Sequence, residues 1–237
     1  MSFRLIAVDL DNTFVDYTAA FKDCLSQMRY DRYADAPKPS DYGFACEGWF
    51  GKSGGNAFRA FHEGAVEMGL YLRERPYCGA LETLYRMQSD PRNHITFVTS
   101  RTDDGDDTRR WLDSYGLLEW EGQDLDARTK DMVSPLGKAS AIHAHAMTSD
   151  WSHAGWVEAN LPHYCHLRQK ELLGADLYVE DEPDTIDRLL DFNLPVLIGR
   201  HGYNLRQCER AERHRGIAAV FDDWHDVPEL ATRLLEQ

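Results

Sequence analysis

The chain of 237 residues lacks the marks of several large protein classes. No apolar run approaches the roughly 20 residues needed to cross a bilayer. The opening MSFRLIAVDLDNT has a short apolar core, no small-residue cleavage site, and runs straight into charge. It reads as a first strand and not as a signal peptide. Cysteine is sparse and scattered: five residues, at 24, 46, 78, 165 and 208. That spacing makes neither a disulfide framework nor a Cys-x-x-Cys metal pair, and a reducing cytoplasm is the expected compartment. Basic residues are in deficit, 26 Lys and Arg against 40 Asp and Glu, for a formal net charge of −14. Duplex nucleic acid, which demands clustered Lys and Arg, is excluded as a partner. A small phosphate ester is not, since a bound divalent cation inverts the local field. Internal repeats and low-complexity tracts are absent too.

What is present is an alternation of short apolar runs and amphipathic stretches. Strands are expected at 4–8, 94–101, 164–167, 175–180, 194–199 and 217–221. Helices are expected over 17–30, 56–70, 80–87, 108–115, 138–147, 152–160, 184–192 and 227–236. The segment ADAPKPSDYG (34–43) is a breaker-rich loop, and 117–137 reads as irregular. Alternating strands and helices predict an α/β fold: a Rossmann-like parallel sheet with helices on both faces. The aromatic stretch between the first two strands is expected to form a small, mainly helical cap. The boundaries that follow are 1–15 and 78–237 for the core and 16–77 for the insertion.

In such sheets ligands bind beyond the carboxyl ends of the strands. Asp9, Thr99 and Glu180–Asp181 each follow directly on a separate apolar run, so the topology gathers them at one edge. Two carboxylates as close as Asp9 and Asp11 at a strand end repel each other. A hard cation such as Mg²⁺ removes that cost and binds phosphate oxygens as well. Its ligands would be Asp9, the Glu180–Asp181 pair and the backbone carbonyl of Asp11. Hydroxyls of Thr13, Thr99 and Ser100 and the ammonium of Lys170 would hold the remaining phosphate oxygens. Together these make a phosphoryl-transfer site.

The same residues fall into a familiar order. Asp9-Leu-Asp11-Asn-Thr13, then Phe97-Val-Thr99-Ser100, then Lys170, then Glu180-Asp181 resemble the four motifs of the haloacid dehalogenase superfamily of phosphohydrolases. Within it, CEGWF (46–50), RPYCGALETL (75–84), TSR (99–101), GWVEANLP (155–162) and ADLYVEDEPD (175–184) are similar to the 5′(3′)-deoxyribonucleotidase group. His153 departs from that group, which carries Lys three residues before the Trp matched by Trp156. Extra sequence also lies between 102 and 150.

The resemblance implies a Mg²⁺-dependent phosphomonoester hydrolase. Asp9 would be the nucleophile that forms an aspartyl-phosphate, and Asp11 the acid and then the base. Thr99, helped by Ser100, would hold the transferring phosphoryl, and Lys170 would offset charge. Glu180 and Asp181 would hold the metal, which of them directly being left open. Trp49 and Phe50 are candidates either for stacking on a nucleobase or for the core of the cap. Asp184 would orient a metal-bound water or cap the following helix. The expected substrate is a (deoxy)nucleoside monophosphate; the alternatives are a sugar or other metabolite phosphate, or a binding protein without turnover.

Several sharper patterns give way to plain ones. GKSGG (51–55) lacks the Gly that a P-loop needs at Cys46, and no strand precedes it. TDDGDD (102–107) lacks an EF-hand's twelve-residue loop. His143 and His145 lie on different faces of a helix. Lys138 is a weaker rival to Lys170. Arg101 and Arg168 are expected to pair with surface acids.

Overall fold

A computed structural model describes residues 4–52, 55–101, 105–117, 164–166 and 170–236. Six parallel strands make one sheet: β1 (Arg4–Val8), β2 (Asn93–Thr99), β3 (Tyr164–His166), β4 (Leu177–Glu180), β5 (Val196–Gly199) and β6 (Ala218–Phe221). Their order across the sheet is β3-β2-β1-β4-β5-β6. β1 is central and pairs with both β2 and β4, Val8 standing opposite Phe97 on one side and Val179 on the other. The chain thus leaves β1 with its last residues flanked by the ends of β2 and β4. That is the switch point where an open parallel sheet makes a crevice.

Alternation along the strands divides the core into two layers. Ile6, Val8, Leu177 and Val179 face one way, where they meet helices α4 (Ala80–Gln88), α5 (Gly105–Ser114) and α8 (Val227–Leu235). Leu5, Ala7 and Tyr178 face the other way, toward α6 (Pro183–Asp191) and α7 (Leu205–Ala211). Phe14 sits at the centre of the first layer with no exposed surface. It makes edge contacts to Phe97, Trp111 and Trp224 with ring centroids 5.1, 6.3 and 5.5 Å away.

Between β1 and β2 lies a mainly helical insertion of α1 (Tyr17–Gln27), α2 (Gly55–Glu67) and the single turn α3 (Leu70–Arg73). It has its own core, built around Phe21, Phe44, Trp49 and Tyr71. Asp16 caps α1 by accepting a hydrogen bond from the Ala19 N–H at 2.9 Å. Two chain segments join the insertion to the sheet and run side by side. The Asp16 N–H donates to the Arg75 carbonyl and the Tyr77 N–H to the Phe14 carbonyl, each at 2.9 Å.

The predicted strands and most of the predicted helices fall where expected, within a few residues at their ends. One helix, α7, was not anticipated. Its charged run LRQCERA buries only Gln207, Cys208 and Ala211, so its apolar period is weak. The expected helices at 138–147 and 152–160, with Lys138, His143, His145, His153, Trp156 and Arg168, lie outside the described residues. So does the expected irregular loop, apart from its first residue, Leu117.

Candidate active site

The loop after β1 winds around a single carbonyl. The N–H groups of Phe14 and Val15 donate to the Leu10 oxygen at 3.0 and 2.9 Å. Asn12 takes a left-handed conformation, φ 58°, which its side chain supports by accepting from the N–H and hydroxyl of Thr18. His201 reaches the Asn12 carbonyl from the loop after β5, 2.7 Å away. The winding buries Leu10 and turns Asp9, Asp11 and Thr13 toward the same crevice.

Asp9 is buried, and its N–H donates to the Val179 carbonyl at 2.9 Å, so β4 fixes its backbone. Lys170, also buried, places its Nζ 2.5 Å from Asp9 Oδ1 and 2.7 Å from Glu180 Oε2. Glu180 is fastened further by the N–H groups of Asp181 and Glu182 on its other oxygen. Asp181 accepts from the Thr13 hydroxyl on one oxygen and from the Tyr203 hydroxyl on the other. Carboxylate oxygens of Asp9, Glu180 and Asp181 come within 4.8 Å of one another.

Within this group three buried carboxylates face one ammonium. Burial raises the pKa of Asp9, and Lys170 only partly opposes it. Burial and then the charges of Asp9 and Glu180 push Asp181 well above the usual carboxylate range. Burial likewise lifts Glu180 to about 8 against the pull of Lys170. Lys170 moves above its ordinary value: burial opposes its charge, and Asp9 and Glu180 outweigh burial. A cluster of hard oxygen donors with surplus negative charge fits a divalent cation. Of the proposed ligands, Glu180 has both oxygens engaged, one by the Lys170 ammonium and the other by two backbone N–H groups, whereas Lys170 takes one oxygen of Asp9 and the partners of Asp181 are hydroxyls.

Asp11 sits apart, on the other side of Asp9, and its side chain is a quarter exposed. The Arg101 Nη2 lies 2.5 Å from its Oδ1, and Nε lies 3.2 Å from both oxygens. Burial disfavours the Asp11 carboxylate, but Arg101 outweighs it and lowers the pKa. Arg101 also donates to Glu74 Oε2. Glu74 stands just before the return segment of the insertion and is fully enclosed. Its Oε1 has no donor in reach. Burial, outweighing Arg101, holds its carboxyl well above the usual range, and the negative charge of Asp11 acts in the same direction.

The expectation that Arg101 pairs with surface acids is therefore corrected. Its side chain is 1% exposed and its acids are Asp11 and Glu74. Glu74 carried no signal in the sequence, because a lone Glu after a helical turn reads as surface. Tyr203 and His201 went unnoticed for the same reason.

Thr99 is buried at the end of β2, and its hydroxyl accepts from the Arg101 N–H at 3.2 Å. Ser100, the next residue, is exposed and lines a cavity of about 270 Å³ that opens beside Asp11. Tyr17, Phe44, Phe58, His62 and Tyr71 of the insertion form much of the cavity wall.

Trp49 and Phe50 do not line it. Trp49 lies between Phe21 and Tyr33, at interplanar angles of 5° and 15°, and its indole N–H donates to the Pro37 carbonyl at 2.8 Å. Phe50 stacks on Phe61 at 5.2 Å. Trp49 belongs to the core of the insertion and the partly buried Phe50 packs against it, both lining a separate cavity of about 370 Å³, while the tyrosines and phenylalanines just named share the cavity with Asp11. Asp184 is exposed in the first turn of α6, whose N-cap position is held by Glu182. Asp184 thus does not stand at the N-cap position, and the Glu182 side chain there makes no capping hydrogen bond.

A six-stranded parallel sheet, acidic strand ends at its switch point and a helical insertion after β1 define the haloacid dehalogenase-like fold. Two solved structures carry the likeness along nearly the whole chain. A haloacid dehalogenase-like hydrolase of Streptococcus pneumoniae is similar at TM-score 0.50 and 8% identity, over 96% of this chain and 97% of that one. A HAD-family hydrolase of Deinococcus radiodurans, holding phosphate and sodium, is similar at TM-score 0.51 and 12% identity, over 98% and 96%. No protein-family model and no curated protein sequence matches the chain. Among the described residues no helix is long and apolar enough to cross a membrane.

Proposed function

We propose that the protein hydrolyses a small phosphomonoester through an aspartyl-phosphate on Asp9. The observation that carries this reading is the pairing of a lysine-bound aspartate with a second aspartate two residues on, held by a separate cation. One oxygen of Asp9 is tied to Lys170, which orients the carboxylate for attack on phosphorus. The Asp9–P bond forms as the bond from phosphorus to the leaving oxygen breaks, and Asp11 delivers a proton to that oxygen. The quarter-exposed side chain of Asp11 takes that proton from solvent before the step. In the second step Asp11 takes a proton from water, which attacks phosphorus and frees Asp9. Thr99, Ser100 and Thr13 supply hydroxyls near the phosphoryl position. Mg²⁺, held by Asp9, Asp181 and the Asp11 carbonyl with Glu180 behind them, would neutralise charge on the phosphoryl oxygens. Residues 16–77 serve as the cap that covers the crevice and contacts the leaving group.

For the leaving group we favour a sugar or another small metabolite. A cavity of about 270 Å³ is small for a ligand site, and Trp49 and Phe50, the candidates for stacking on a base, do not line it. A nucleoside monophosphate is the second reading, favoured by the aromatic wall of Tyr17, Phe44, Phe58 and Tyr71. Phosphate release from sugar phosphates, other metabolite phosphates and 5′- and 3′-nucleotides, with Mg²⁺ and with EDTA, separates the readings. Turnover should vanish in EDTA and in Asp9→Asn while the fold persists. Activity of Asp9→Asn near wild type would refute the nucleophile assignment.

A further inference from the structure

Arg101 is built into the site in a way that phosphate binding does not require. Its Nε and Nη2 hold Asp11, Nη2 also holds Glu74, and Nη1 donates to the Thr108 hydroxyl of α5 at 3.0 Å. The face of its guanidinium lies 4.0 Å from the ring centre of Tyr71. Four groups from three parts of the fold thus fix one side chain: the β1 loop, α5, and two residues of the insertion's last turn. Arg is the side chain suited to such a planar, bidentate grip. Glu74 is itself anchored, since the Trp111 indole N–H donates to its backbone carbonyl at 2.9 Å.

We infer that Arg101 is a positioning residue for the acid–base carboxylate Asp11, with Thr108 setting its angle and Glu74 and Tyr71 making the grip depend on the seating of the insertion. The inference rests on the phosphatase reading above. Asp11 precedes the left-handed Asn12 at the edge of the crevice, and among the described residues Arg101 is the cation bonded to its carboxylate. The bidentate contact fixes both oxygens. Displacing the insertion's last turn from α5, which breaks the Trp111–Glu74 contact, would withdraw Glu74 and Tyr71, and Arg101 would then lose two of its four supports.

The test uses two substrates that differ in their need for an acid. An alkyl phosphate leaves as an alkoxide and requires a proton; 2,4-dinitrophenolate leaves without one. Hydrolysis of the phosphoenzyme needs Asp11 as base in either case. In Arg101→Lys, which keeps the charge and loses the bidentate geometry, kcat for the alkyl ester should fall about 100-fold, within the usual range of acid–base contributions. KM should stay within about 3-fold, because uniform binding is untouched. With 2,4-dinitrophenyl phosphate the same variant should release a burst of about one equivalent of dinitrophenolate before a slow steady state.

Thr108→Val leaves every charge in place and should show the same split at smaller size, roughly 3–10-fold, which covers the case in which an Arg101 variant fails to fold. Equal losses on both esters without a burst would mean a merely structural Arg101 and overturn the inference. So would unchanged kinetics. Wild-type protein inert toward both esters, in Mg²⁺, would instead overturn the phosphatase reading itself.

Discussion

Removing a carboxylate from the metal cluster should make the metal-free protein more stable. Asp9, Glu180 and Asp181 are all buried, with Lys170 the one ammonium bonded among them. Among the described residues Asp181 has no cation of its own; its partners are the hydroxyls of Thr13 and Tyr203. Asp181→Asn keeps the shape and can keep both contacts, since the amide oxygen accepts from Thr13 and the amide N–H donates to the Tyr203 oxygen. What disappears is a buried charge. Replacing poorly compensated buried charges typically gains about 1–4 kcal/mol. A gain of about 2 kcal/mol raises Tm by roughly 4–8 °C in a chain of this size.

The sign with pH follows from the direction of the shifts. Burial raises Asp181 above its ordinary 3.8, and raises Glu180 from 4.5 to about 8. The folded state therefore keeps protons that the unfolded chain releases. Stability from these groups is fully present below about pH 4 and is lost as pH rises through the folded values toward pH 8. In EDTA, wild type and Asp181→Asn should converge near pH 4 and separate as pH rises toward 8, the variant melting higher. Saturating Mg²⁺ should reverse the order. Metal at 100 times its Kd adds about 2.7 kcal/mol to wild type, and less to a variant missing a ligand charge. Scanning calorimetry from pH 4 to 8, with EDTA and with Mg²⁺, gives all four curves. A variant that melts lower than wild type in EDTA at pH 8, or an equal Mg²⁺ shift in both proteins, would refute the charge-surplus reasoning.

Two further perturbations test neighbouring parts of the structure. Lys170→Met strips the ammonium from Asp9 and Glu180, 2.5 and 2.7 Å away. It should cost about 3–5 kcal/mol in EDTA, and Mg²⁺ should return part of that loss. Urea unfolding checks it, and a loss below about 1 kcal/mol would place Lys170 outside the cluster in solution. Gly48→Ala tests the packing of the insertion. Gly48 has φ 81°, and a Cβ there would stand 2.6 Å from Pro37 Cδ, in the segment that accepts the Trp49 indole N–H. The left-handed conformation alone costs about 1–2 kcal/mol, and the contact adds to it. A thermal melt of the variant should show the loss, and a melt within experimental error of wild type would mean that the loop is free to shift.

The sheet and the charged strand ends were legible because each is written locally. Apolar runs at 4–8, 175–179 and 194–199 announce buried strands, and the parallel topology does the rest by gathering their ends. Asp9, Thr99, Glu180 and Asp181 needed only that rule, and Lys170 rested on its position ahead of the acidic pair. Residues whose meaning depends on a neighbour distant in sequence were not legible. Glu74 looks like a surface acid until Arg101, 27 residues away, is folded against it. Tyr203 looks like a loop aromatic until Asp181 accepts its hydroxyl. Trp49 shows a third case: its sequence context left a ligand platform and a core position both open, and the packing of Phe21 and Tyr33 against it shows a core residue.

The division has a physical basis. The phosphoryl end of the site is built on strand ends, where backbone pairing fixes side chains to a register that sequence reveals. The leaving-group end is built on the insertion, where Tyr17, His62 and Tyr71 meet through side-chain contacts alone, such as the Tyr17 hydroxyl 2.8 Å from His62 Nδ1. Chemistry set by a register is readable from short motifs; selectivity set by a packed aromatic cluster is not. Arg101 lies on the seam between the two, its backbone fixed by the end of β2 and its side chain by Glu74 and Tyr71 of the insertion. A residue so placed can make the chemistry of the strand ends depend on what the insertion holds.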